Sequence, residues 1–361
     1  MINCKSVLKN VLGLFLIALV GNSCIDIIDL TIEDKEEFLV VDGNFNANGG
    51  PHLLKLYYAT GLRVNAQRPV SDAEINIFEG GTQVGTYTQI TPGNYQLVTG
   101  ELIGIVGQSY HIEIKLANGA TYYSIADNIP EKVKGDSVFF DFQYQEETIN
   151  ESIIRKPFVQ VFIATPLPDN TTPYWLKWEV NRMYSFPENI WSTFPPPPKI
   201  CYIPLETNQQ ELNLFDGGEV AATYLPKWEV AQRLLPLSDM EFRGRHYYLV
   251  NQQSITEGAY NYWDKVNLVA NQTGSIFDAP PAAIPGNIYN LNDPEEVVLG
   301  YFELANTDSL RGFFTESDFT NFYKIPNNVC ADLANPFARN VRFCCACQLI
   351  ENANLNRPEW W

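Results

Sequence analysis

The sequence predicts a mainly β protein: a β-sandwich on the N-terminal side, then a second β-rich domain with one clear helix at about 254–271. Three observations carry this. Short stretches alternate apolar and polar residues with the period of a strand. Aromatics make up 13% of the 361 residues, with 19 Tyr, 21 Phe and 7 Trp, and such residues favour half-buried pleated surfaces. Gly and Pro number 23 each and punctuate the chain as turn formers do.

The sandwich is expected over residues 36–130. "FLVVDGNF" reads as a strand entering a turn, and "HLLKLYYAT" as its successor. "SDAEINIFEGG" places Ala73, Ile75 and Ile77 on one face and Asp72, Glu74 and Asn76 on the other. "TQVGTYTQITPGNYQL" reads as strand, Pro-Gly turn, strand. Tyr110, Ile112, Ile114 and Leu116 alternate with His111, Glu113 and Lys115, and Asn118-Gly119 then signals a hairpin with Thr121–Ile125 returning. Strands at this spacing are similar to immunoglobulin-like and transthyretin-like sandwiches, a likeness of fold that implies no activity.

"EKVKGD" reads as a polar linker to a second domain over 136–361. "DSVFFDFQYQ", "FVQVFIATPL", "PYWLKWEVNRMYSF" and "HYYLVNQQSI" read as strands, with Val159, Val161 and Ile163 on one face. "FPPPPK" predicts a stiff extended loop. In "SITEGAYNYWDKVNLVANQTG", Ser254 and Glu257 fit a capping box, and Ala259, Trp263, Val266 and Ala270 recur at helical spacing, with Gly274 as terminator. Trp263 is expected as a plug between helix and sheet rather than a ligand platform.

The N-terminus sets the compartment. Lys5 and Lys9 precede an apolar run from Val11 to Gly21, too short to cross a bilayer core of roughly 30 Å and suited to a signal peptide. Small residues then lead to Cys24, an arrangement that resembles a bacterial lipobox. It implies cleavage of residues 1–23, diacylation of Cys24 and anchoring in the outer membrane, with 24–35 as an acidic tether; an ordinary signal peptide with an incidental cysteine is the alternative. Lys and Arg total 24 against 42 Asp and Glu, a net charge of −18. Such a chain repels phosphate backbones, so no nucleic-acid partner is expected.

No catalytic motif is apparent. His52, His111 and His246 lack metal-ligand spacing, and neither a nucleophile elbow nor a phosphate-binding loop is present. No cofactor or metal is expected, and no enzymatic activity. Arg243 and Arg245 beside His246 form a small basic cluster, read as local charge balance with an anion site as the alternative. Asp293, Glu295 and Glu296 read as a turn rather than a calcium loop.

With Cys4 lost and Cys24 lipidated, Cys201, Cys330, Cys344, Cys345 and Cys347 remain. Export favours disulfides, with zinc ligation and a redox dithiol as lesser readings. The candidates are Cys201, Cys330, Cys344 and Cys347, with Cys345 left over. Bridges through Cys201 and Cys330 would clasp the C-terminal segment to the body, and Trp360 and Trp361 would pack there.

"GSIFDAPPAAIPGNIYN" followed by "VLGYF", together with "SDAEINIFEGG", "WLKWEV", "CYIPLE" and "CCACQLIENANLNRPEWW", resembles a family of Bacteroidota lipoproteins known as domain of unknown function forty-two forty-nine. The resemblance implies a non-enzymatic accessory or ligand-capture partner of a TonB-dependent outer-membrane transporter. The alternatives are a surface glycan-binding protein or hydrolase, and an adhesion or spacer module. Gly274, Gly286 and Gly300 read as backbone punctuation, and Phe277, Pro280 and Pro281 as a stiff packed loop.

Overall fold

A computed structural model describes residues 37–60, 67–97, 102–149, 152–169, 172–188, 199–205, 212–219, 221–234, 241, 244–271, 284–319, 321–322 and 346–358. The first strands are β1 (Glu37–Asn46), β2 (Leu53–Thr60), β3 (Arg68–Pro69), β4 (Glu74–Glu79), β5 (Thr82–Thr91), β6 (Asn94–Leu97), β7 (Ser109–Lys115), β8 (Thr121–Ser124) and β9 (Asp127–Asn128). Then come β10 (Ser137–Ile149), β11 (Ser152–Pro166), β12 (Trp175–Pro187), β13 (Ile200–Leu205), β14 (Asn213–Asp216), β15 (Tyr224–Leu234) and β16 (His246–Ile255). Helix α1 (Glu257–Ala270) follows, then β17 (Ile288–Asn290), β18 (Leu299–Phe314) and the single turn α2 (Glu316–Phe319). The protein is mainly β, as expected.

One long sheet runs β13-β12-β16-β18-β1-β2-β6-β5-β4-β7-β8-β17, and a second of three strands runs β10-β11-β15. The alternation read in β4 and β7 is realised: Ile75, Ile77, Tyr110, Ile112 and Ile114 enter the first core with Leu39, Val41, Phe45 and Tyr95. Each such side chain contributes about 1.5–3 kcal/mol on burial. Gly93 and Gly119 take the left-handed φ values of +73° and +91° that their turns require.

The two expected segments share the long sheet. β1 lies parallel to β18, from Val40 opposite Leu299 to Asn46 opposite Ala305. Ile288, Val298, Phe302 and Leu304 therefore join the first core. The β17 end of the sheet returns toward β18, where Pro285 bridges Leu299. The buried Asn287 amide stands in for a strand there: its Nδ2 donates to the Phe302 carbonyl and its Oδ1 accepts from the Phe302 N–H, both at 2.9 Å. A Cβ on Gly286 would lie 1.5 Å from the Gly300 carbonyl oxygen, which accounts for glycine at 286; at Gly300 a Cβ would lie 2.1 Å from the Val41 carbonyl oxygen.

The three-stranded sheet packs on β12, β16 and β18 to make a second core. Val159, Val161 and Ile163 of β11 meet Leu176, Trp178, Tyr248, Val250 and Phe314. A Cβ on Gly312 would come within 2.9–3.1 Å of Val138 and Phe140, so the glycine lets β10 approach β18.

The stretch between the two segments is strapped down. Asn306 Nδ2 donates to the Pro130 carbonyl at 3.1 Å, and the Val133 N–H donates to Ser254 Oγ at 2.9 Å. Gln252 Nε2 donates to the Val133 carbonyl at 2.8 Å, and the Gly135 N–H donates to Asp308 Oδ2 at 3.0 Å. Gln252 Oε1 accepts from Thr165 Oγ1 and Trp178 Nε1, so the amide that grips the linker is itself held. The backbone of "EKVKGD" thus lies along the sheet with Val133 buried, while the Glu131, Lys134 and Asp136 side chains stay exposed. This also corrects the helix start. Ser254 belongs to β16 and its hydroxyl serves the linker, so Thr256 caps α1, with Oγ1 accepting from the Ala259 N–H at 3.3 Å.

Candidate functional site

Strand alternation creates the main charged site. Leu176 and Trp178 turn into the second core, and Phe302 and Leu304 into the first. Lys177 and Glu303, between them, must face the opposite side of the sheet. Helix α1 covers that side, with Ala259 against Ile255, Tyr301 and Ala305, and Trp263 at the margin.

Lys177 Nζ donates to both Glu303 oxygens at 2.8 Å. Trp263 Nε1 donates to Glu303 Oε2 at 2.6 Å, and the ammonium sits 4.7 Å from the Trp263 ring centroid. Glu179 adds a looser contact at 3.6 Å. Lys177 is 4% exposed and Glu303 3% exposed. Burial works against the Lys177 charge, but Glu303 and then Glu179 outweigh it and hold its pKa above the usual lysine value. Trp263 is thus the expected plug between helix and sheet, and a hydrogen-bond donor as well.

Around this triad, Tyr262 and Tyr301 pack in a tilted arrangement with ring centroids 5.0 Å apart. Burial, with Asp42 and Tyr57 adding to it, pushes the Tyr262 hydroxyl up to about 12. Burial also pushes Tyr301 up to about 12, opposed by its hydrogen bond with Thr256. The chemistry is that of a strut. An ammonium held charged is no nucleophile, and both Glu303 oxygens are already engaged by the ammonium and the indole. The cluster ties β12, β18 and α1 together.

The histidines are dispersed. His52 packs on Phe45 at 4.6 Å, with Nδ1 accepting from the Asn46 N–H and Nε2 3.0 Å from the Leu102 carbonyl; burial lowers its pKa. His111 is on the polar face, as read, but half-buried and stacked on Phe78 at 5.1 Å. His246 is buried between Tyr184 and Phe314, with Nε2 2.7 Å from the Glu241 carbonyl. Among the described residues, no three His, Cys, Asp or Glu side chains converge as a metal site.

The acidic stretch forms a turn. The Glu296 N–H donates to the Asp293 carbonyl at 3.1 Å, and the Glu295 N–H to Asp293 Oδ1 at 3.3 Å. The Glu296 carboxylate accepts from Tyr122 and Asn290. Arg245 lies over Phe313, its guanidinium carbon 4.5 Å from the ring centroid, and Nη1 donates to Tyr247 Oη at 3.0 Å. Among the described residues its partners are aromatic rings and Ser185 rather than a carboxylate. Arg243 lies outside the described residues.

Cys201 and Cys347 form a disulfide across 146 residues. Glu188 supports it, Oε1 accepting from the Cys347 N–H at 3.0 Å and Oε2 from the Lys199 N–H at 2.9 Å. Tyr202 and Asn354 exchange two backbone hydrogen bonds beside it, so the C-terminal segment is clasped to β13. Cys24, Cys330, Cys344, Cys345, Trp360 and Trp361 lie outside the described residues, as do Gly274, Phe277, Pro280, Pro281 and the proline run 195–198.

Lys177, Glu303, Gln252 and Glu188 carry these arrangements without belonging to any catalytic or metal-binding motif. The available signal was a lone charge inside an apolar run, lysine in "WLKWEV" and glutamate in "GYFELA".

Fold and site together define a two-core β scaffold braced by a buried ion pair and closed by a disulfide clasp. The chain belongs to the family described as Domain of unknown function (DUF4249), whose model matches residues 25–311. Comparison with curated proteins finds no match, and comparison with solved structures finds none.

Proposed function

We propose that the protein is an outer-membrane lipoprotein, anchored through Cys24, that serves as a non-enzymatic accessory or ligand-capture partner of a TonB-dependent transporter. The observation that carries this reading is the state of the Lys177–Glu303–Trp263 cluster. The most deeply buried charges of the described chain neutralise each other within 2.8 Å and brace β12, α1 and β18, the strand on which β1 of the first segment pairs, as suits a rigid docking scaffold. The strapped linker and the clasped C-terminal segment support it in the same way. Family membership supports it through the likeness to lipoproteins encoded beside such transporters. Affinity purification of the tagged chain from detergent-solubilised outer membranes tests the proposal. Co-purification of a TonB-dependent transporter is expected; recovery of the lipoprotein alone would sink it, and a Cys24→Ser chain that stays in the membrane fraction would remove the anchor.

A further inference from the structure

The edge of β18 beyond Ala305 has no neighbouring strand among the described residues. β1 pairs with β18 only as far as Asn46 opposite Ala305. The backbone of the odd-numbered residues faces that side: the Ala305 carbonyl accepts from the Ala47 N–H at 3.0 Å. The Thr307 N–H donates to Asn46 Oδ1 at 3.3 Å and Asn48 Oδ1 at 3.1 Å, and its carbonyl accepts from Asn48 Nδ2. Two asparagine side chains therefore finish the edge at Thr307 and go no further. By strand alternation, the N–H and C=O groups of Ser309, Arg311 and Phe313 face the same open side. On the other side β18 is fully paired to β16, through Phe314 opposite His246. An exposed row of this kind is a template for a further strand.

The side chains along the edge indicate the character of that strand. Phe313 is 53% exposed, and Arg245 stacks on it. Arg311 stands two residues away on the same face. Among the described residues Arg245 interacts with Tyr247, Phe313 and Ser185, and no described residue joins the Arg311 guanidinium by a hydrogen bond or ion pair. In a chain of net charge −18, two guanidinium groups with no carboxylate partner among the described residues stand beside this edge. A carboxylate matches a guanidinium fork with two parallel hydrogen bonds, and an exposed aromatic ring receives an apolar neighbour in the added strand.

We propose that the Ser309–Phe313 edge of β18 captures an extended acidic segment of a partner protein by strand addition, with Arg311 and Arg245 reading its carboxylates and Phe313 its apolar side chains. This rests on the partner-binding reading for the identity of the partner, but the edge itself can be tested alone. Arg311→Pro is the sharpest variant. Its N–H faces outward, where an edge strand tolerates proline, and the substitution removes the central donor. Arg311→Gln and Arg245→Gln keep the backbone intact and serve if the proline variant does not fold.

The probe is a fluorescein-labelled octapeptide of alternating valine and glutamate, titrated into the full mature chain and followed by polarisation. A lysine-for-glutamate analogue is the control, and hydrogen exchange of the segment 305–314 is read in parallel. Saturable binding of the acidic peptide is expected, with slowed exchange at 305–314 and weakening as salt rises. Each glutamine variant should lose about tenfold or more, the worth of a charge-assisted hydrogen bond. Equal binding of the lysine analogue, or unchanged exchange at 305–314, overturns the edge. The same variants, expressed in the native membrane, separate the two ideas. A transporter that co-purifies equally with Arg311→Pro and the native chain refutes the edge and leaves the accessory role standing. Peptide binding at the edge without any co-purifying transporter refutes the accessory role and leaves the edge standing.

Discussion

Replacing Glu303 by glutamine removes one charge and almost no volume, and it should be among the most damaging single changes in the chain. Both Glu303 oxygens lie 2.8 Å from Lys177 Nζ, a separation worth about 6 kcal/mol at an effective dielectric of roughly 20. Desolvation cancels much of that in the intact pair. The mutant keeps the desolvation of Lys177, which is 4% exposed, and loses the compensation. Breaking a buried pair in this way costs about 3–5 kcal/mol. Urea unfolding followed by tryptophan fluorescence reads it as a lower midpoint at constant slope. The double variant Lys177→Met with Glu303→Leu should recover most of the loss, because a well-packed apolar replacement is often neutral or stabilising. The pH dependence has a defined sign. The folded pKa of Lys177 is raised above 10.5, so its contribution is complete below that value and disappears as pH climbs through the higher folded pKa. A Glu303→Gln loss below about 1 kcal/mol, or a double variant worse than either single one, would refute the strut.

Further perturbations address other parts of the fold. Cys201→Ser opens a loop of 146 residues and should cost on the order of 2–5 kcal/mol, with limited proteolysis cutting first within 346–358. Gly300→Ala puts a Cβ 2.1 Å from the Val41 carbonyl at φ +85°; stability should fall by more than about 1–3 kcal/mol, and an unchanged melting temperature would contradict the close approach of β1. Gln252→Leu removes the grip on Val133 and the acceptor for Trp178 and Thr165, at a cost of about 1–3 kcal/mol for each buried group left unsatisfied, and should speed amide exchange at Val133 and Gly135. Tyr262 and Tyr301, raised from 10.0 to about 12 by burial, favour the fold in their neutral form. Their contribution is present below pH 10 and lost toward 12, which absorbance at 295 nm follows; ionisation at the ordinary tyrosine value without unfolding would show both rings to be solvated.

Much of this fold was legible where one face of a strand is buried and the other wet. Tyr110, Ile112 and Ile114 alternate because their neighbours face outward, so the pattern survives in the sequence. The parallel pairing of β1 with β18 was not legible. It joins residues 40 and 299, and local periodicity carries no information about which distant strand is adjacent. Lys177 and Glu303 show the same limit: each is visible as an odd charge in an apolar run, but their partnership spans 126 residues. The start of α1 moved from Ser254 to Thr256 because a tertiary contact, Val133 on Ser254 Oγ, claimed the expected capping hydroxyl. "EKVKGD" looked like a loose linker because its residues are polar; what holds it are the backbone groups, which a sequence does not display.

The proposed role is that of a lipoprotein scaffold bound to a transporter. Native mass spectrometry of gently solubilised outer membranes tests it most directly. A complex whose mass equals one diacylated chain plus a TonB-dependent transporter is expected. A diacylated chain found only by itself, or an unlipidated chain in the soluble fraction, would contradict it.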